Sequence, residues 1–148
     1  MQVIGAQVQD NQLQAVLTET SAGQTRHPAK TFVLATGGIL GGGIAVQPPG
    51  YAKNTIVETA LGLPVHASPD RRNWFQQDFL GAQGHPIFSV GSVVNAHFQP
   101  VDDSGTPYFE NLFTIGGALD SCDPVRERSL EGIAIVTGYC VGQRIFEQ

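Results

Sequence analysis

The 148-residue sequence is short of charge: Lys, Arg, Asp and Glu make up 14% of it, against about a quarter in ordinary soluble domains. Its eight Lys and Arg form no basic stripe, and the net charge is −5. A nucleic-acid partner needs such a stripe to meet phosphates, so that class is excluded. Cysteine is also scarce. Cys122 and Cys140 have neither CxxC nor metal-type spacing, which excludes a disulfide framework and points to a reducing compartment. No apolar run is long enough to cross a bilayer; the most apolar stretch, Phe32 to Val46, is broken by five glycines. The opening MQVIGAQVQD lacks the basic region and apolar core of a signal peptide. A soluble, cytoplasmic protein is expected, meeting the inner membrane only indirectly, through a partner subunit.

Glycine, at 18 residues, is abundant, and hydrophobic residues make up 41%. Disorder needs the opposite balance. Low charge with many glycines suits a chain packed against more protein or a cofactor.

VIGAQVQD and LQAVLTET alternate apolar and polar residues around Asn11-Gln12, a hairpin pattern. Ser21–Thr25 gives a second turn. Thr31–Ala35 (TFVLA) is a nearly continuous apolar run, as in a central strand buried on both faces, and it ends in TGGILGGG. Beyond the Pro48–Gly50 loop, NTIVETALGL predicts a helix with Asn54 as N-cap, Glu58 near its first turn and Gly62 as its stop. LPVHAS predicts a short strand, and Asp70 caps a second predicted helix, DRRNWFQQDFL, ending at Gly81. A valine-rich piece at Val90–Val94 lies among strands and loops. NLFTIGGA predicts a strand running into glycines, and a long final helix begins near Ser129 or Leu130. Its packed face carries Ile133, Val136, Thr137, Cys140, Val141, Arg144 and Ile145.

The two ends thus each supply a strand that runs into glycines, and the middle differs in character. An α/β fold is expected: a discontinuous, partial nucleotide-binding sheet domain from 1–46 and 111–148, with 47–110 inserted as a smaller mixed α+β lobe.

Two segments carry the chemistry. LATGGILGGG (Leu34–Gly43) puts flexible backbone at the C-terminal edge of a strand, where open α/β sheets bind ligands; the alternative is a tight, glycine-packed turn. NLFTIGGALDSCDP (Asn111–Pro124) runs from a strand through Gly116-Gly117 to Asp123 and the last helix. Helix N-terminal amides can hold an anion, and Asp123 can accept bonds from a polyol; the alternative makes Asp123 and Ser129 turn and cap residues. The small Ser121–Pro124 loop offers no core, so Asp123 is expected to be exposed.

Together, LATGGILGGG and NLFTIGGALDSCDPVRERSLEGIAIVTGY resemble flavoproteins of the fumarate reductase and glycerol-3-phosphate dehydrogenase type, most closely the B-subunit family of anaerobic glycerol-3-phosphate dehydrogenase. HPIFSVGSVVNAHFQPVDDSGTPYFENLF is similar to this family as well. The resemblance implies that Ala35, Thr36, Gly37 and Gly38 contact the flavin nucleotide, and that Gly116, Gly117, Asp123, Glu131, Gly132 and Ile133 hold its ribityl-pyrophosphate part and face the ring. FAD or FMN is the implied cofactor. The implied function is oxidation of sn-glycerol 3-phosphate, a small phosphorylated substrate, to dihydroxyacetone phosphate, with electrons passing through partner subunits to a quinone. One departure stands out. These enzymes begin with a strand, a GxGxxG turn and a helix, and no GxGxxG occurs here. The chain is therefore expected to be the C-terminal part of such an enzyme, to need an N-terminal flavin-binding half or partner subunits, and to be inactive and nearly flavin-free alone. A fumarate or succinate enzyme is one alternative, although the sequence shows no Arg/His constellation for dicarboxylates. A truncated, non-catalytic binding module is another.

The remaining residues are weaker. Arg126 and Arg128 precede the final helix, either pairing with Glu127 and Glu131 or facing a phosphate. His66, His85 and His97 have no metal-type spacing, and no metal site is expected. His85, in a Gly-His-Pro loop, and Arg126 are the candidate catalytic residues. Arg71, Arg72 and Trp74 read as an exposed basic turn with a packed indole, with phosphate recognition as the alternative. Cys122 would need a partner thiol for redox work.

Overall fold

The computed structural model describes residues 2–47 and 56–147. The chain opens with an antiparallel meander of β1 (Gln2–Gln9), β2 (Gln12–Thr20) and β3 (Gly23–Pro28), ordered β1-β2-β3. The first turn is Asp10-Asn11, one residue earlier than the sequence suggested, with both residues at positive φ, 49° and 60°. Asp and Asn tolerate that region, and a two-residue turn of this hand follows strand twist. Alternation on β2 buries Leu13 and Ala15.

The expected central strand is β4 (Phe32–Leu34), which pairs in parallel with β7 (Leu112–Thr114). It is not buried on both faces: Leu34 is buried, but Val33 is 42% exposed. Leu13, Leu34, Leu63 and Leu112 form one small core. Asn111 clasps the meander to this pair. Its Oδ1 accepts from the Leu13 N–H at 2.9 Å, and its Nδ2 donates to the carbonyls of Leu13 and Lys30, both at 2.8 Å. One side-chain amide thus does for β2 what a neighbouring strand would do.

β5 (Ile44–Val46) and β6 (Ile56–Glu58) pair antiparallel over a second core of Ile44, Ile56, Trp74, Ile87 and Val90. β6 overturns the helix expected over NTIVETALGL; its proposed cap, Asn54, lies outside the described residues. Two β-branched residues favour the strand. Glu58, instead of facing solvent on a helix, is 1% exposed and accepts from the N–H groups of Ala60 and Leu61 at 2.6 and 2.7 Å. LPVHAS forms only the isolated bridges Val57–Pro64 and His66–Gly91. The expected helix after Asp70 shrinks to a 3₁₀ turn, Arg71–Asn73, although Asp70 does cap it by accepting from the Arg72 N–H. The Gln76 N–H donates to His85 Nδ1 rather than to a helical carbonyl, so no ladder can grow. A second 3₁₀ turn covers Pro86–Ser89.

After β7 come a 3₁₀ turn, Gly116–Ala118, a short helix α1 (Pro124–Glu127) and the expected final helix α2 (Leu130–Phe146). The packed face of α2 is the one read in the sequence but for one residue: Val141 is buried, and Ile133, Thr137, Cys140, Arg144 and Ile145 are partly buried, whereas Val136 is 61% exposed. Among the described residues no helix is long and apolar enough to cross a membrane.

Candidate functional site

Both glycine segments leave the β4–β7 pair at the same end. Gly38 and Gly117 meet backbone to backbone: a Cβ on Gly38 would lie 2.4 Å from the Gly117 carbonyl oxygen. No side chain fits such a gap. Gly116 turns with φ 63°, and a Cβ there would meet Ala134 of α2 at 3.6 Å. The turn is pinned from above, because the Gly116 N–H donates to Thr137 Oγ1 at 2.9 Å while Thr137 Oγ1 donates to the Ile133 carbonyl at 2.7 Å. These contacts open a cavity of about 300 Å³ between the two segments.

Ala35, Gly37, Gly38, Gly116 and Gly117 line it. Thr36 does not line it, but its Oγ1 is buried without a hydrogen-bond partner. Phe88, Ile115, Pro124 and Ala134 complete much of the wall, and sequence reasoning missed them. Small residues at helical spacing, Ala134 and Gly138, were the available signal; a Cβ on Gly138 would touch Ile115 at 3.7 Å. Glu131, Gly132 and Ile133 sit on the first turn of α2, one step before the lining residue Ala134.

Asp123 departs from expectation. It is 6% exposed and caps α1, accepting from the Val125 and Arg126 N–H groups, both at 3.0 Å. Burial is possible because Gly84 packs against it: a Cβ on Gly84 would lie 2.8 Å from Asp123 Oδ2. The turn-and-cap alternative therefore describes its local contacts.

A second hollow, of about 330 Å³, shares Phe88 with the first and holds His85, Asp123, Arg126 and Arg128 together. The structure thus gathers an Arg/His group that could not be seen along the sequence. Neither arginine forms an ion pair among the described residues. His85 is committed on both ring nitrogens. Nδ1 accepts from the Gln76 N–H at 3.0 Å, so Nε2 carries the hydrogen donated to the Phe79 carbonyl at 3.1 Å. Phe75, Phe79 and Phe88 pack around the ring. That fixes a tautomer and shapes a wall, and it leaves no free lone pair for a proton from substrate.

Other candidates stand apart. Arg72 is tied to Asp70 at 2.7 Å, and its guanidinium holds that carboxyl below the usual range. Arg71 lies 5.5 Å over Trp74. His66 pairs with Asp120 at 3.2 Å, and Arg144 bonds His97 and the Ala96 carbonyl. Burial pushes the Cys122 thiol up, with help from Glu127 and Asp120, the opposite of an activated thiolate. No cluster able to hold a metal occurs among the described residues.

The backbone cradle and its apolar wall fit a flat ring better than a metal or a compact ion. Comparison with known proteins agrees. Residues 3–133 match the FAD binding domain family. The chain is 32% identical over 120 residues to the B subunit of anaerobic glycerol-3-phosphate dehydrogenase from Aliivibrio fischeri (strain MJ11), covering 81% of this chain and 25% of that protein. It is 29% identical over 140 residues to a probable B subunit of the same enzyme from Halobacterium salinarum (strain ATCC 29341 / DSM 671 / R1), covering 95% of this chain and 31% of that one. The chain spans about a quarter of the length of the Aliivibrio relative and under a third of the Halobacterium one. No solved structure matches it.

Proposed function

The chain belongs to the FAD binding domain family, and from that premise we propose that it forms the ring-facing and substrate-side part of an FAD-dependent dehydrogenase that oxidises sn-glycerol 3-phosphate to dihydroxyacetone phosphate. The observation that carries this reading is the cavity between the Gly37-Gly38 and Gly116-Gly117 turns, which shares Phe88 with a hollow holding Arg126 and Arg128.

In this reading Ala35, Thr36, Gly37 and Gly38 hold one side of the cofactor, and Gly116 and Gly117 the other. Glu131, Gly132 and Ile133 place the first turn of α2 towards it, where helix N–H groups favour negative charge. Asp123 acts through position: by capping α1 it fixes Arg126 and Arg128. When bound, FAD supplies the acceptor for the hydride of an alcohol carbon. The two guanidinium groups take the substrate phosphate, for which paired donors and fixed charge suit arginine. The cavity wall keeps water from the reacting carbon. His85, bonded to the Gln76 N–H and the Phe79 carbonyl, shapes the wall of the hollow. Electrons then pass through partner subunits to a quinone.

The finer domain division, 1–46 with 111–148 around an inserted 47–110, is supported by the parallel pairing of β4 with β7. A dicarboxylate substrate, as in fumarate or succinate enzymes, is the second reading, favoured by the same gathering of His85, Arg126 and Arg128.

The test uses a chain of the relatives' length that carries these residues. Arg126→Ala and Arg128→Ala should each raise KM for glycerol 3-phosphate about tenfold or more, the cost of losing a hydrogen bond to a charged group, with FAD content unchanged. Turnover of succinate in place of glycerol 3-phosphate would select the second reading. Unchanged KM for both substrates would remove the hollow from the site.

A further inference from the structure

Among the described residues, Phe88 alone lines both the glycine cavity and the hollow of Arg126 and Arg128. The chain around it sets its place. It sits in the 3₁₀ turn Pro86–Ser89, which Pro86 opens with its fixed φ. The Phe88 N–H donates to the His85 carbonyl at 3.0 Å, and the Ile87 N–H to the Trp74 carbonyl at 3.1 Å. Ile87 is buried in the core at 3% exposure, whereas Phe88 packs against that core only in part.

The Phe88 ring is also braced. It meets the His85 ring edge to face, with centroids 5.9 Å apart and planes at 71°, and the Phe75 ring at 6.5 Å and 89°. Such contacts favour one ring orientation. His85 is itself held by bonds at both ring nitrogens. Phe88 therefore stands as a fixed apolar boundary where a cavity of about 300 Å³ adjoins a hollow of about 330 Å³.

The roles assigned to the two spaces give this boundary a consequence. In sn-glycerol 3-phosphate the carbinol carbon is bonded directly to the carbon that carries the phosphate ester. A substrate whose phosphate rests on Arg126 and Arg128 has only that short tether with which to bring its reacting carbon to the cavity. Reacting atoms must come within about 3–3.5 Å of each other. A rigid ring at the boundary fixes the offset between anion and reacting carbon, and a smaller, mobile side chain leaves it free.

We propose that Phe88 is the specificity-determining residue of the site. Its ring borders the cofactor cavity and the arginine hollow at once, and it sets the permitted distance between substrate anion and reacting carbon. The inference rests on the function proposed above and adds a length limit to it: a three-carbon phosphate is accepted and a four-carbon polyol phosphate is not.

The experiment uses a chain of the relatives' length that carries these residues, with glycerol 3-phosphate and erythritol 4-phosphate as substrates. Phe88→Ala and the milder Phe88→Leu should lower kcat for glycerol 3-phosphate about tenfold or more, as a misplaced reacting carbon does. KM should change by less than about threefold, because the arginines remain. The ratio of kcat/KM for erythritol 4-phosphate to that for glycerol 3-phosphate should rise about tenfold or more, the scale of one carbon in a shaped pocket. Ile87→Val, in the same turn but in the core, should lower stability and leave the ratio alone; a merely structural Phe88 would behave the same way. Phe88→Tyr keeps the ring and should keep the ratio. It also gives a readout free of turnover, since a phenol against a flavin quenches its fluorescence by electron transfer. Bound FAD should be dimmer in Phe88→Tyr than in the parent, and unchanged in Glu19→Tyr, an exposed control on β2. An unchanged ratio in both Phe88→Ala and Phe88→Leu overturns the proposal, and so does undimmed flavin in Phe88→Tyr. If the parent oxidises succinate instead, the substrate reading fails alone, and the same ratio is taken for glutarate over succinate. If the parent turns over neither class, the flavin decides: dimming supports the proposal and its absence overturns it.

Discussion

The backbone of Gly38 leaves no room for a side chain against Gly117: the nearest atom to an added Cβ is a carbonyl oxygen at 2.4 Å, which belongs to main chain and not to a side chain that could swing away. Gly38→Ala must therefore part the two turns. Overpacking of this kind costs about 1–3 kcal/mol. Gly142→Ala makes the opposite case, because it lies in α2 with nothing within 4 Å of an added Cβ. There alanine should stabilise by about 0.5–1 kcal/mol through helix propensity. Urea denaturation of the two variants should give opposite signs, and equal effects would mean that the turns do not touch in solution.

Asn111 gives a second prediction. Leu13 is 1% exposed, and its N–H and carbonyl both bond the Asn111 amide. Asn111→Ala leaves those groups without partners, a loss of about 1–3 kcal/mol. Asn111→Asp should do no better, since a carboxylate oxygen then faces the carbonyls of Leu13 and Lys30 where Nδ2 donated to both. Stability by denaturation, with amide exchange at Leu13 as the local readout, checks this. An Asp variant as stable as the parent would contradict the clasp.

The parts legible in the sequence were those with short-range signals. Alternation marked β1 and β2, and the glycine elbows marked both ends of the cavity. The apolar spacing of 130–146 marked α2. Parts decided by distant partners were not legible. Glu58 reads as a helix residue until the amides of Ala60 and Leu61 are seen to converge on it. The run after Asp70 has helical composition, yet the Gln76 amide is taken by a histidine nine residues on. On α2 the packed face was legible and only Val136 was misplaced, because the outer residues Ile135 and Tyr139 are apolar too and periodicity could not set it on their side. At the site, the glycines were found by type, whereas Phe88 and Ala134 line the cavity through packing that leaves no motif.

Cys122 supplies a chemical prediction. Its thiol is pushed up from the ordinary value first by burial, then by the carboxylates of Glu127 and Asp120. A raised value means less thiolate at a given pH, and the thiolate is the nucleophile. At pH 8 in the native chain, Cys122 should react with iodoacetamide more slowly than an unstructured cysteine peptide. The difference should vanish in denaturant and narrow as pH rises. Faster reaction than the peptide would indicate an activated thiol and reopen a redox role.

Asp123 permits its two roles to be separated. As a cap it accepts from two N–H groups of α1, and loss of such a cap costs about 0.5–2 kcal/mol. Asp123→Ala should therefore destabilise the apoprotein, which an exposed, purely ligand-binding carboxylate would not do. Asn caps about as well as Asp, so Asp123→Asn should restore most of that stability while removing the negative charge. Both variants belong in a chain of the relatives' length, where melting temperature of the apoprotein and FAD affinity are measured separately. If Asp123 acts only by fixing α1, and with it Arg126 and Arg128, the Asn variant keeps FAD affinity and near-parental stability, and the Ala variant loses stability while KM for the substrate rises. If its carboxylate also holds the cofactor, Asp123→Asn lowers FAD affinity about tenfold or more with melting unchanged, the cost of a charged hydrogen bond made neutral. The buried geometry favours the first outcome, because Oδ1 already accepts from both the Val125 and Arg126 amides while Oδ2 lies against Gly84.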